Sequence, residues 1–287
     1  MLQDLSFGRL YNEYKGLSPQ CEDVVICIQD SSILLKRNAD DSLELPRYSQ
    51  VQQWIREDWT SWSDRCVHYI FRLQERNYFL WMGCAGSCAD EDFHYEPARQ
   101  LRQLRSKEVC FAAMTAWHLY VWYRNNRFCG CCAATTVHDE KERMLRCPSC
   151  GNMIFPRISP AVIVAVTDGD RLLLSKYAGR AYTRYALLAG FTEIGETLEQ
   201  TVEREVMEEV GLRVKNIRYY KSQPWGVDGN VLMGFYCDLD GDDAIHLDQQ
   251  ELSMAQWFPR DGLPAKDDGI SLTREMIRIF GEGMEPK

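Results

Sequence analysis

GFTEIGETLEQTVEREVMEEVGL, residues 190–212, is the stretch whose reading decides the fold of the C-terminal half. Glu205, Glu208 and Glu209 crowd three carboxylates into five positions. On a helix, residues three and four apart share a face, so these carboxylates converge and repel. A hard divalent cation, which takes oxygen ligands, offsets that repulsion. A solvated acidic face is the plainer alternative, and the flanks favour the site. Thr197 with Gln200 reads as a capping box. Leu198, Val202, Val206 and Val210 supply an apolar stripe, and Gly211 suits the position that ends a helix. Upstream, YALLAGF (185–191) reads as a short buried strand. TEIGE (192–196) reads as a tight loop, with Gly195 open to an unusual backbone angle.

Working outward, AVIVAVTD (161–168) and RLLLSK (171–176) form a hairpin-like pair. VKNIRYYKSQ (214–223), VLMGFYCDL (231–239) and AQWFP (255–259) are further strands, and SLTREMIRIF (271–280) is a closing amphipathic helix. Strands flanked by helices imply a layered α+β or α/β sandwich. In the N-terminal half, VVICIQ and SSILLK (within 24–36) read as two strands, and CVHYIFRLQ and NYFLWM (within 66–82) as two more. DEDFHYEP (90–97) reads as a loop. A helix is expected over 98–125, with Leu101, Leu104, Val109, Met114, Trp117 and Val121 as its apolar surface.

Twelve cysteines stand in 287 residues. Cys129 and Cys132 form one C-x-x-C, Cys147 and Cys150 another, with 14 residues between the pairs. FCGCC and RCPSCG provide the Gly and Pro that tight knuckles need. Four thiolates at this spacing suit a structural, tetrahedral Zn²⁺ with no open position for catalysis. Cys131 is read as a bystander and His138 as an exposed loop residue. Cys84 and Cys88, near His94, are read as small buried or turn residues rather than a second metal site.

The formal net charge of −9 disfavours broad electrostatic binding to nucleic acid. MLQDLSFGRLYNEYKGL lacks the cationic-then-apolar layout of a signal peptide. No apolar run reaches the length of a membrane span. The expectation is a cytoplasmic protein with no membrane partner.

Residues 190–212 resemble the Nudix box at all nine constrained positions: Gly190, Glu196, Arg204, Glu205, Val206, Glu208, Glu209, Gly211 and Leu212. The resemblance implies Mg²⁺- or Mn²⁺-dependent hydrolysis of a nucleoside diphosphate linked to another moiety. Metal ions neutralise phosphate oxygens and acidify bound water, and a neighbouring carboxylate can take its proton. Glu205 and Glu209 resemble the family's metal ligands. Glu208 is the candidate for ligand or base. Arg204 and Glu196 resemble a supporting salt bridge.

The zinc ribbon, the box and SQPW (222–225) together resemble the NADH pyrophosphatases, from about Phe128 onward. That narrower resemblance implies cleavage of NAD(H) to AMP and nicotinamide mononucleotide, with NAD-capped RNA 5′ ends presenting the same bond. It also implies a homodimer whose sites draw on both chains. It implies metal ligation by the Ala189 carbonyl and Glu251, stacking by Phe155 and Phe191, and substrate selection by Ser222, Gln223, Pro224 and Trp225. Phe155 stands where members commonly have Tyr. After Trp225 the family continues with Pro-Phe-Pro, any residue, Ser. Here Gly226, Val227, Asp228, Gly229 and Asn230 follow, an apparently looser loop that puts preference for reduced NAD in question.

The expected fold is α+β: an N-terminal mixed α/β domain (1–126), a zinc ribbon (127–156) and a C-terminal Nudix α/β/α sandwich (157–287). The competing readings are a Nudix hydrolase of another dinucleotide, such as ADP-ribose, FAD or diadenosine polyphosphate, and a non-catalytic nucleotide-binding regulator. The intact box and Glu251 weigh against the regulator.

Overall fold

The computed structural model describes residues 1–4, 8–55, 67–82, 92–98, 106–179, 184–264 and 268–287. The expectations for Cys66, Cys84, Cys88, Leu101 and Leu104 fall outside them. The chain divides into two compact units, one of residues 4–157 with 226–229, the other of 1–3, 158–225 and 230–287. The class is α+β, as the sequence implies.

The first unit begins with β1 (Leu10–Tyr11), β2 (Val24–Gln29), β3 (Ser32–Arg37), β4 (Leu43–Glu44) and α1 (Tyr48–Trp54). It continues with β5 (Val67–Leu73), β6 (Arg76–Trp81), β7 (Phe93–Pro97) and α2 (Lys107–Asn125). The strands form one sheet in the order β1-β5-β6-β2-β3-β4, with β7 also paired to β3. The segment read as a loop at 90–97 is therefore strand over Phe93–Pro97, in antiparallel register from Lys36↔Phe93 to Ser32↔Pro97. Its acidic flanks mask a short alternation: Phe93 is buried while His94 faces water. Ser106 caps α2 by accepting from the Val109 amide at 3.3 Å.

The same unit holds the ribbon, a three-stranded sheet of β8 (Val137–His138), β9 (Leu145–Arg146) and β10 (Met153–Ile154). His138, expected to be exposed, is half-buried in β8. Its ring stacks on His68 at 4.0 Å between centroids and lies 4.9 Å from Tyr123. Arg143 reinforces the seam by donating to Asn12 Oδ1 at 3.0 Å and to the Ile70 carbonyl. A ribbon too small for a core of its own thus shares the apolar surface of β5 and α2.

The second unit contains β11 (Ser159–Asp168), β12 (Arg171–Tyr177), β13 (Leu188–Phe191), α3 (Leu198–Val210), β14 (Val214–Trp225), β15 (Asn230–Leu239), β16 (Leu252–Pro259) and α4 (Leu272–Gly281). Its sheet runs β14-β15-β11-β12-β16, with β13 paired to β11. β11 and β15 are parallel, from Ser159↔Asn230 to Thr167↔Asp238. A strand central to such a sheet is covered on both faces, which explains the unbroken apolar run AVIVAV. Val162, Val164 and Val166 pack against Val202, Val206 and Val210 of α3. Ile163 and Ala165 pack on the other face against Met276, Ile277 and Phe280 of α4. Each fully buried Val or Ile contributes roughly 1.5–3 kcal/mol.

Burial holds His68 near pKa 4 and His138 near 3, both below the ordinary 6.5. Below pH 6.5 the unfolded chain binds protons that the folded chain refuses, so stability falls as pH drops from 6.5 toward 4. Denaturant unfolding of the wild type should show this loss. His68→Phe should remove a part of it on the order of 3 kcal/mol. An unchanged pH slope in that variant would contradict the assignment.

Candidate functional site

The carboxylate face is built by local rules. Thr197 Oγ1 accepts from the Gln200 amide at 3.2 Å, and Gln200 Oε1 accepts from the Thr197 amide at 2.9 Å, starting α3. Gly211 ends it at φ 70°. Between these points Glu205 and Glu209 are buried, while the Glu208 side chain stays 61% exposed.

Glu205 lies against β13 at Gly190. A Cβ there would sit 1.8 Å from its carboxyl carbon, so only glycine leaves room for the carboxylate. Burial pushes the Glu205 carboxyl up, Arg204 opposes that, and the charges of Glu208 and Glu251 push it further up. Glu251 is the residue just before β16. Asp248 ties it to α3: the Asp248 amide donates to the Glu209 carbonyl at 2.9 Å, and the Asp248 carbonyl accepts from Glu251 at 3.3 Å and Leu252 at 2.9 Å.

Arg204 organises the loop. It donates to Glu196 at 2.6 and 3.0 Å, to Glu205 at 2.8 Å, to Glu208 at 3.0 Å and to the Phe191 carbonyl at 2.9 Å. The paired bonds from Arg204, helped by the Glu193 amide and the Thr201 hydroxyl, hold the Glu196 carboxyl down at about 2. Thr201 and the Glu193 amide were missed in the sequence; Thr201, four residues after the cap, carried a faint signal.

Glu205 and Glu208 share the Arg204 guanidinium, and the Gly190 cradle keeps Glu205 at β13; with Glu209 and Glu251 they are the candidate hard oxygen donors for a divalent cation. Ala189 precedes that glycine and pairs with Ile163.

The four ribbon cysteines also converge. Their Sγ atoms lie within 4.8 Å of one another, with Cys129–Cys150 at 3.6 Å and Cys132–Cys147 at 3.4 Å. A tetrahedron with Zn–S bonds of about 2.3 Å has S–S edges of about 3.8 Å. The Cys131 and Cys132 amides bring Cys129 down to about 6, favouring the thiolate a metal needs. The cluster therefore fits structural Zn²⁺, and Cys131 takes part through its backbone.

The aromatic candidates are open: Phe155 is 53% exposed in the first unit and Phe191 53% in the second. Ser222 and Pro224 are partly to fully open, whereas Gln223 and Trp225 are buried. The following loop is not loose. Gly226 is buried, and a Cβ there would meet the Met114 carbonyl oxygen at 2.2 Å. Gly229 adopts φ 71° and closes the turn onto Gly226. These glycines allow close approach and a positive φ, which the sequence alone does not distinguish from flexibility.

Residues 157–278 match the NUDIX domain model, and residues 124–155 match the NADH pyrophosphatase zinc ribbon domain model. A NAD-capped RNA hydrolase NudC of Pectobacterium atrosepticum is 37% identical over 199 residues, 69% of this chain and 74% of that protein. Its counterpart in Pectobacterium carotovorum subsp. carotovorum is 35% identical over 222 residues, 76% and 82% respectively. The crystal structure of a NUDIX hydrolase from Nitrosomonas europaea is similar with TM-score 0.47 and 24% identity, over 54% of this chain and 91% of that one.

Two outcomes follow from this geometry. Elemental analysis should find one zinc per chain, and chelation should unfold the ribbon; a folded, zinc-free protein would refute the site. Gly190→Ala should displace Glu205 and lower kcat by about 10²-fold or more, with the melting temperature little changed. Unaltered turnover would show that the cradle is dispensable.

Proposed function

The chain belongs to the Nudix hydrolases that carry an NADH pyrophosphatase zinc ribbon, and on that premise we propose that it hydrolyses the pyrophosphate bond of NAD(H) to AMP and nicotinamide mononucleotide. The pairing of Arg204 with both Glu205 and Glu208, beside the Gly190 cradle, carries this reading. Bound Mg²⁺ or Mn²⁺ would neutralise the phosphate oxygens and acidify a water. Glu205, Glu209, Glu251 and the Ala189 carbonyl would hold the metal. Glu208, the most exposed of the three box carboxylates, would ligate or take a proton. Arg204 and Glu196 keep the loop in place through their ion pair. Phe191 and Phe155 offer ring faces for a base or nicotinamide, and Ser222, Gln223, Pro224 and Trp225 shape substrate selection.

That the relatives are NAD-capped RNA hydrolases supports NAD-capped RNA 5′ ends as a second substrate with the same bond. We place the enzyme in the cytoplasm, where thiolate ligands stay reduced, and as a homodimer. No described helix is long and apolar enough to cross a membrane.

The test is a hydrolysis panel of NADH, NAD⁺, ADP-ribose, FAD, Ap₄A and NAD-capped RNA with Mg²⁺ and Mn²⁺, with Glu208→Gln as control. NADH should be cleaved, and the variant should lose about 10²-fold or more in kcat. The Pro-Phe-Pro aromatic is missing, so kcat/KM for NADH, NAD⁺ and ADP-ribose should lie within about 10²-fold, or 2.7 kcal/mol, of one another. Near-normal turnover by Glu208→Gln would sink the catalytic assignment. Brisk ADP-ribose cleavage without NADH cleavage would favour the other-dinucleotide reading.

A further inference from the structure

The N-terminal residues Met1–Gln3 belong to the second unit. Met1 is buried in the α4-side core with Ile163, Leu187 and Met276, and the Leu2 amide donates to the Ile270 carbonyl at 3.1 Å. Gln3 then reaches β14, the edge strand of the sheet. Its Nε2 donates to the Ser222 carbonyl at 2.9 Å, and its Oε1 accepts from Gln223 Nε2 at 3.0 Å.

Gln223 has no side-chain donor left over. Its Nε2 also donates to the Ile270 carbonyl at 2.7 Å, and its Oε1 accepts from the Leu272 amide at 2.8 Å, at the start of α4. Fully buried, this amide ties the strand to the α4 N-terminus and to Gln3. Strand alternation then assigns its neighbours. Ser222 pairs with Met233, Met233 with Val162, and Val162 with Gly190. Directly opposed residues share a face, so Ser222 lies in the same cross-sheet row as the glycine that cradles Glu205. Gln223 and Trp225 face the opposite side as anchors.

We infer that Gln3 is a positioning residue for substrate selection: it sets the Ser222–Trp225 segment against the α4 N-terminus and so fixes Ser222 in the row of the Glu205 cradle. The inference rests on the hydrolase reading above. Without the Gln3 amide, one anchor of the edge strand is gone, and Gln223 must find a new acceptor or shift. Binding suffers, while the carboxylates on α3 keep their own supports. The two hydrogen bonds are each of modest net worth, so the effect on KM should be about 3- to 10-fold.

The experiment compares the wild-type chain, Gln3→Met and Gln3→Glu. Methionine keeps the stem and removes both hydrogen bonds; glutamate keeps the acceptor for Gln223 and loses the donor to Ser222. Steady-state kinetics with NADH and ADP-ribose are paired with thermal unfolding. Gln3→Met should raise KM for NADH by about 3- to 10-fold and leave kcat within about twofold, with Gln3→Glu in between. A lower melting temperature with unchanged KM would reduce Gln3 to a structural role and overturn the inference, as would a fall in kcat at constant KM. If the wild type cleaves ADP-ribose but not NADH, the NAD(H) reading fails, and the KM comparison on ADP-ribose still decides Gln3. A wild type that cleaves no member of the panel overturns both.

Discussion

Everything in the candidate site depends on keeping several carboxylates together without letting them repel one another apart. Arg204 does this by sharing one guanidinium among them. Its planar guanidinium reaches Glu196 twice, Glu205, Glu208 and the Phe191 carbonyl. A lysine could not reproduce that set, because an ammonium has no rigid fork of donors. The same contacts join the loop before α3 to the helix itself and to the end of β13. Charge neutralisation and loop geometry are therefore one device.

The second constraint is steric. Gly190 leaves the space that the Glu205 carboxyl occupies. Burial beside a strand raises the free-energy cost of the charged form, which Arg204 offsets only in part. A divalent cation would supply the remaining compensation. The ribbon follows parallel logic on softer ligands: knuckle amides hold Cys129 toward the thiolate form before any metal arrives. Its small sheet gains its remaining support from the His68–His138–Tyr123 stack and Arg143.

The polar ties on the α4 side work by burial rather than charge. Gln223 is legible in the sequence only as part of SQPW, yet its amide is committed to Gln3, Ile270 and Leu272. A buried amide left without partners costs about 1–3 kcal/mol, which explains why it is so completely engaged. A side chain of SQPW can thus act by holding its neighbours, while Ser222 and Pro224 remain open.

The sequence by itself determined the features set within a few residues. The Thr197–Gln200 box, the valine stripe and Gly211 define α3, because capping and helical periodicity involve positions three or four apart. The same holds for the paired C-x-x-C knuckles. Only the tertiary structure decided what long-range pairing controls. The parallel β11–β15 register puts Ser222 in the Gly190 row, the Asp248 turn ties Glu251 to α3, and Phe93–Pro97 becomes a strand by pairing with β3. The tight packing of Gly226 and the burial of His138 belong to the same class. A glycine or a histidine carries no local mark of the neighbour it will meet, because that neighbour arrives from a distant part of the chain.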